Sequence, residues 1–213
     1  VKISALTTAL MLFGAIALAG LTERALTNLP VLEREIGEHW PKMPMRGIAA
    51  AQIEQESAWN TKAQLKTSRE WGRGLGQLTI TPQFNAYLEV VKRAELKDWN
   101  WQKDPFNVRY QITYLVLQDR ANFSAVNAMF DDDVCRWAGA LVAYNAGMGT
   151  VLKRRSQALA SKSVDAKHWF GGLDSVRVPI ESKLLYGRNL GEMRNDYPRL
   201  IIKVRSGKYE GLL

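Results

Sequence analysis

After Lys2, the run from Ile3 to Thr22 carries no charged side chain. As a helix rising about 1.5 Å per residue it would reach across a bilayer core of roughly 30 Å. Ala5, Ala9, Gly14, Ala15, Ala17, Ala19 and Gly20, with Ser4, Thr7 and Thr8, make it less hydrophobic than a Leu-rich span. Lys2 before the run, with no comparable basic cluster just after it, orients the remainder of the chain outward.

From Glu23 to Met43 the chain is mixed and charged and is interrupted by Pro30 and Pro41, with Pro44 just beyond. It reads as a connector, with a short helix over 31–40. Helical spacing then recurs. Met45, Ile48, Ala49 and Ile53 mark one face of a helix with Pro44 near its start. Tyr87, Leu88 and Val91 predict a second helix over 83–94, and Val108, Ile112, Leu115 and Val116 a third over 105–122. Asp131 to Asp133 suit the start of a fourth, which carries Val134, Trp137, Ala138 and Leu141 inward. Between the first two lies 61–81, with Gly72, Gly74 and Gly76, read as a loop with a short extended stretch. No segment alternates long enough for a large sheet. The predicted fold is mainly α, with one globular domain over 44–213 following the segments 1–22 and 23–43.

Composition adds constraints on chemistry. The chain has 213 residues, 46% hydrophobic and 23% charged, enough for one sizeable core. A net charge of +8 suits an extended anionic partner or simple solubility, and does not choose between them. Cys135 is the only cysteine, so the chain can form neither an intramolecular disulfide nor a thiolate metal cluster. His39 and His168 lack ligand-like spacing, so neither a metal nor a cofactor is expected. No nucleic-acid-binding motif accompanies the positive charge, and nucleic acid is not an expected partner.

Glu56 stands out. It follows Ile53 by three positions and Ala49 by seven, which in a continuous helix places it on the interior stripe. It also lies near the helix end, before Trp59-Asn60, where the negative pole of the helix disfavours a carboxylate. Both effects favour the protonated form, as a general acid requires. Taken alone, such a residue is more often a partly solvated flank.

Its neighbours point further. The runs Gln55-Glu56-Ser57-Ala58-Trp59-Asn60, Gly74-Leu75-Gly76-Gln77-Leu78-Thr79 and Ala143-Tyr144-Asn145-Ala146-Gly147 resemble, in order, the motifs of the soluble lytic transglycosylase family within the goose-type lysozyme-like fold. Asn107-Val108 with Tyr114-Leu115, and Glu181-Ser182 with Tyr186, are similar to two further motifs of that family. The resemblance covers most of 48–190. It implies a lysozyme-like catalytic domain that cleaves the glycan strands of peptidoglycan, with Glu56 as the catalytic acid and base and Ser57 holding the helix end. It further implies Gln77 in the cleft, Tyr144 and Asn145 beside the scissile bond, and Glu181 and Tyr186 on the opposite wall. Structural alternatives are a core tyrosine for Tyr144, a helix cap for Asn145-Ala146-Gly147 and a plain turn for the glycine run. The sequence departs from the family pattern in a longer loop with Arg69, Glu70, Trp71 and Arg73, in Gly76 and Thr61, and in Gln111 where a helix glycine is usual. Gln111 suggests looser packing there.

Hydrolytic glycosidases need two carboxyl groups. Glu54 lies about 200° round the helix from Glu56 and points away. The single-carboxyl route forms a 1,6-anhydromuramoyl end instead, with hydrolytic muramidase action as the alternative. Trp59, Trp71, Trp99, Trp101 and Trp137 are candidates for sugar stacking, with a core role expected for all but Trp71 and Trp101. Lys203, Arg205 and Lys208 are candidates to approach acidic wall polymer.

The weakly apolar start is similar to the signal-arrest-release segment of phage endolysins, which would tether a monomeric enzyme to the inner membrane through residues 3–22 and then free it in the periplasm. Ala17-Leu18-Ala19 also fits a signal-peptidase site. A permanent anchor or buried helix, a bacterial wall-remodelling or secretion-associated enzyme, and a non-catalytic peptidoglycan-binding protein remain open alternatives.

Overall fold

Helix-forming periodicity governs most of the chain, and a computed structural model describes residues 20–213 apart from Tyr186. The expected span over 3–22 therefore lies largely outside the described residues. Among those described, no helix is long and apolar enough to cross a membrane. The architecture is mainly α, as expected. The described residues form two compact units: those up to Pro41 with Met45–Tyr114 and Arg205–Leu213, and Lys42–Pro44 with Leu115–Val204.

The first unit begins with α1, Glu23–His39. The short helix expected over 31–40 thus starts earlier, because the Thr22 hydroxyl caps it by accepting the Ala25 N–H at 3.2 Å. Pro30 is accommodated on the exposed face, while Ala25, Leu29, Leu32 and Ile36 form the buried one. Helix α2, Gly47–Ser57, is Ala-rich and fully buried from Ile48 to Ile53. Met45, expected on that face, precedes the helix at φ +52° and is exposed. Gly47 is needed for a close approach: a Cβ there would lie 3.2 Å from the Ser206 carbonyl and 3.3 Å from the Tyr209 Cβ.

The stretch read as a loop holds an antiparallel sheet of β1 (Gln64–Lys66), β2 (Trp71–Arg73) and β3 (Leu78–Ile80) in that order. Each strand is three residues long, too short for alternation to register in the sequence. The second predicted helix shrinks to α3, Ala86–Val90, capped by Asn85. Helix α4, Val108–Val126, opens where the Asn107 side chain accepts the Tyr110 N–H, and Ile112, Leu115 and Val116 are buried as predicted.

The second unit centres on α5, Asp133–Ala146, whose cap is Asp132, accepting the Cys135 N–H at 2.7 Å. Its buried Trp137, Ala138 and Leu141 match the predicted face. It packs against α6, Met148–Ser161, and α7, Leu190–Arg199. A two-strand hairpin, β4 (Leu184–Leu185) and β5 (Arg188–Asn189), precedes α7.

A buried ion pair joins these elements. Arg154 on α6 and Glu181 both have no exposed side-chain surface, and Arg154 Nη2 meets Glu181 Oε1 at 2.7 Å. The Val178 N–H and Arg194 also donate to that carboxylate, at 3.1 and 3.2 Å, while Arg154 Nη1 reaches Asn195 Oδ1 at 2.6 Å. Burial pushes the Glu181 pKa up, but the hydrogen bonds from Arg154 and Val178 outweigh it and hold the group below the ordinary 4.5.

Removing one partner of such a pair strands the other. Arg154→Met should therefore destabilise the second unit by about 3–5 kcal/mol in urea titration. A depressed carboxyl pKa stabilises the fold above the unfolded value and loses that contribution as pH falls through the folded one. The wild type should accordingly lose stability as pH drops below 4.5, with a shallower decline in Glu181→Gln.

Candidate active site

The end of α2 is an unusual piece of backbone. Ser57 is its last helical residue and donates from Oγ to the Ile53 carbonyl at 3.0 Å, closing the final turn. Ala58 and Trp59 follow at φ +48° and +60°, two left-handed residues in succession with no glycine to ease them. Each such conformation costs about 1–2 kcal/mol, so something must hold it. Trp59 is 1% exposed, and its indole N–H donates to the Tyr209 hydroxyl at 2.8 Å. That hydroxyl donates in turn to Glu54 Oε2 at 2.7 Å. Lys208 pairs with the same carboxylate, and Arg205 Nε donates to Gln55 Oε1 at 2.9 Å. Burial, and then the Glu54 carboxylate, push the Tyr209 pKa well above its ordinary value, so it remains a donor.

Glu56 sits on this last turn, half-buried. The interior stripe on which it was expected ends at Ile53, since Glu54 to Ser57 are all half-buried. Glu54, expected to point away from Glu56, is bound by Tyr209 and Lys208. Arg205 and Lys208, expected to meet acidic polymer, are committed to α2, while the Lys203 ammonium lies 4.8 Å over the Phe170 ring.

The glycine run forms the turn between β2 and β3. The Gly74 N–H donates to the Ala63 carbonyl at 2.7 Å, and Gly74 itself adopts φ +76°. Gln77, also left-handed at φ +47°, folds its side-chain amide back onto the Gly74 carbonyl at 2.8 Å. It thus builds the turn that was expected to line a cleft. Gln111 locks this turn from α4: its Oε1 accepts the Leu75 N–H and its Nε2 donates to the Pro105 carbonyl at 3.0 Å. A Cβ on Gly74 would lie 2.2 Å from Gln111 Oε1. The expected looseness at Gln111 is therefore wrong; the residue is buried and the packing tight.

Glu56, Ser57 and Gln77 belong to the first unit, and Tyr144, Asn145 and Glu181 to the second. Tyr144 is half-buried and Asn145 exposed on the last turn of α5, which Gly147 ends at φ +80° by donating its N–H to the Ala143 carbonyl. Glu181, expected on a cleft wall, is buried and paired with Arg154 and Arg194, and it lines a pocket together with Gln157, Arg177 and Glu192. Tyr186 lies outside the described residues.

Trp59, Trp99 and Trp137 are core residues at 1%, 3% and 0% exposure, while Trp71 and Trp101 are half-buried, as expected for both groups. His39 was read as an ordinary residue, and it gathers with Glu35 and Glu38 closely enough for three ligand atoms to lie within 4.8 Å. Glu35 already accepts from Thr113 and Arg34 and lies 3.4 Å from Arg109, a positive surrounding that opposes a bound cation. Cys135 is buried, accepts the Trp169 N–H at its sulfur and has a pKa raised by burial, the marks of an unreactive thiol.

No protein-family model matches the chain, and no curated protein matches it. The site therefore rests on its own chemistry.

Gly74→Ala meets both a left-handed backbone and the Gln111 amide, and should cost about 2–4 kcal/mol in chemical denaturation. Adding Gln111→Gly removes the collision but leaves the backbone strain, strands the Leu75 N–H and puts a glycine inside α4, so the double variant should be no more stable than Gly74→Ala. Hydrogen exchange at the Leu75 amide should be faster in every variant that lacks Gln111.

Proposed function

We propose that this chain is a peptidoglycan lytic transglycosylase with Glu56 as its catalytic acid and base, on a lysozyme-like version of the mainly helical fold. The observation that carries this reading is the setting of Glu56: a half-buried carboxyl group on a helix end whose strained exit is fixed by Trp59, Tyr209 and Glu54. General acid catalysis needs such a fixed carboxyl, and it needs neighbours that do not compete for the proton. Glu54, the nearest carboxylate in sequence, is neutralised by Lys208 and Tyr209 and is therefore spent on structure. With Glu54 committed in this way, Glu56 serves in this reading as the one carboxyl group that the anhydro-forming route requires, whereas hydrolysis needs a second.

In this reading Glu56 gives its proton to the glycosidic oxygen between N-acetylmuramic acid and N-acetylglucosamine as the C1–O4 bond breaks. The N-acetyl group of the substrate supports the electron-poor carbon. Glu56, now a carboxylate, then takes the proton of the sugar's own C6 hydroxyl, whose oxygen closes onto C1. No water is consumed. Tyr144, Asn145, Gln77 and Tyr186 are proposed to position the strand, and residues 3–22 to carry the enzyme across the inner membrane for host-cell lysis.

Glu56→Gln should lower release of soluble fragments from purified sacculi by at least about a hundredfold with an unchanged melting temperature. Mass spectrometry of the wild-type digest should show 1,6-anhydromuramoyl ends. Reducing ends would assign a hydrolytic muramidase, and full activity of the glutamine variant would refute Glu56 altogether.

A further inference from the structure

Two cations of the first unit, Arg73 and Lys66, face aromatic rings in place of a counter-anion. Arg73 on β2 shares a sheet face with Trp71, and across the β1–β2 pairing Gln64 stands opposite Arg73 and Lys66 opposite Trp71. The Arg73 guanidinium lies 4.3 Å from the Trp71 ring centre, 5.0 Å from that of Phe106 and 5.8 Å from that of Tyr87. Lys66 Nζ lies 5.0 Å from the Trp71 ring. Neither cation forms an ion pair among the described residues. Arg73 Nε is buried and has no hydrogen-bond partner.

Aromatic faces offset part of the cost of drying a guanidinium, yet they leave its N–H groups unfilled. The contrast is Arg154, which is fully buried and whose donors are taken up by Glu181 and Asn195. A planar fork of donors in an aromatic cage, with a second cation alongside, is a receptor for a carboxylate. We infer that Arg73 and Lys66, framed by Trp71, Phe106 and Tyr87, bind a carboxylate carried on the glycan substrate. Choosing a glycan rests on the function proposed above; the anion site itself rests on the geometry alone. Two carboxylates of peptidoglycan share this chemistry: the lactyl group of muramic acid where no stem peptide is attached, and those of the stem peptide where one is.

The test uses the full chain carrying Glu56→Gln, so that strands bind without turnover, and titrates three ligands by calorimetry: neutral chitooligosaccharide, glycan strands stripped of peptide, and strands with stem peptides. Arg73→Gln should weaken binding of carboxylate-bearing strands about tenfold or more and leave chitooligosaccharide unchanged. Loss on stripped strands assigns the lactyl carboxylate, and loss confined to peptide-bearing strands assigns the stem. Lys66→Gln, at an exposed position, should show a smaller loss of the same selectivity and guards against misfolding of the Arg73 variant. Equal weakening toward all three ligands, no weakening in either variant, or no binding of the charged strands at all overturns the inference. Digestion of sacculi by the chain with Glu56 intact reports on the enzyme separately. Activity without Arg73-dependent binding would sink the carboxylate site alone, and Arg73-dependent binding without activity would sink the transglycosylase alone.

Discussion

The Tyr209 hydroxyl bridges a Trp59 donor and a Glu54 acceptor, and the shape of the α2 terminus depends on that bridge. Two left-handed residues in a row are unfavourable by a few kcal/mol in isolation. A hydrogen bond to a charged acceptor, a second from a buried indole and the burial of both rings together exceed that cost. The chain consequently leaves the helix along one path. The side chain of Glu56, on that same last turn, inherits a fixed origin from the network.

The same logic recurs at the glycine turn and in the second unit. Gln111 and Gln77 use neutral amides to satisfy the turn's backbone groups from two sides, while Arg154 uses a charged fork to gather Glu181, Asn195 and the Leu173 carbonyl. In each case irregular backbone is placed by a long polar side chain from a regular helix or from the turn itself. Buried polar groups with complete partners specify one arrangement, because any shift leaves a donor or acceptor dry. Arg73 departs from this pattern, its guanidinium facing aromatic rings and its buried Nε having no acceptor among the described residues.

The long amphipathic helices were legible in the sequence because their apolar stripes repeat over several turns, as in Ile112, Leu115 and Val116 or Trp137, Ala138 and Leu141. The three-residue strands were not, since a pattern of period two cannot be distinguished within three positions. The helix over 23–39 was obscured by Pro30, which a surface-facing position tolerates more easily than the residue type suggests. At the candidate site, Glu56 and the glycine turn could be picked out from local motifs. Tyr209, Lys208 and Gln111 could not, for their partners lie 155, 154 and 36 positions away and no local spacing marks them. A signal did exist in Gln111, the polar residue at an apolar helix position, but it was read as slack when it marked a buried amide at work. The pairing of Glu181 was hidden for a related reason: its partner Arg154 is 27 residues distant and sits on an outwardly ordinary basic helix.

The clasp on α2 comes from Arg205–Tyr209, which the ribosome makes only after the whole of the second unit. During synthesis, then, residues 45–114 emerge early yet lack the piece that sets the exit of their key helix. The first unit is completed last. A chain halted before Arg205 would carry Glu56 on an unfastened helix end.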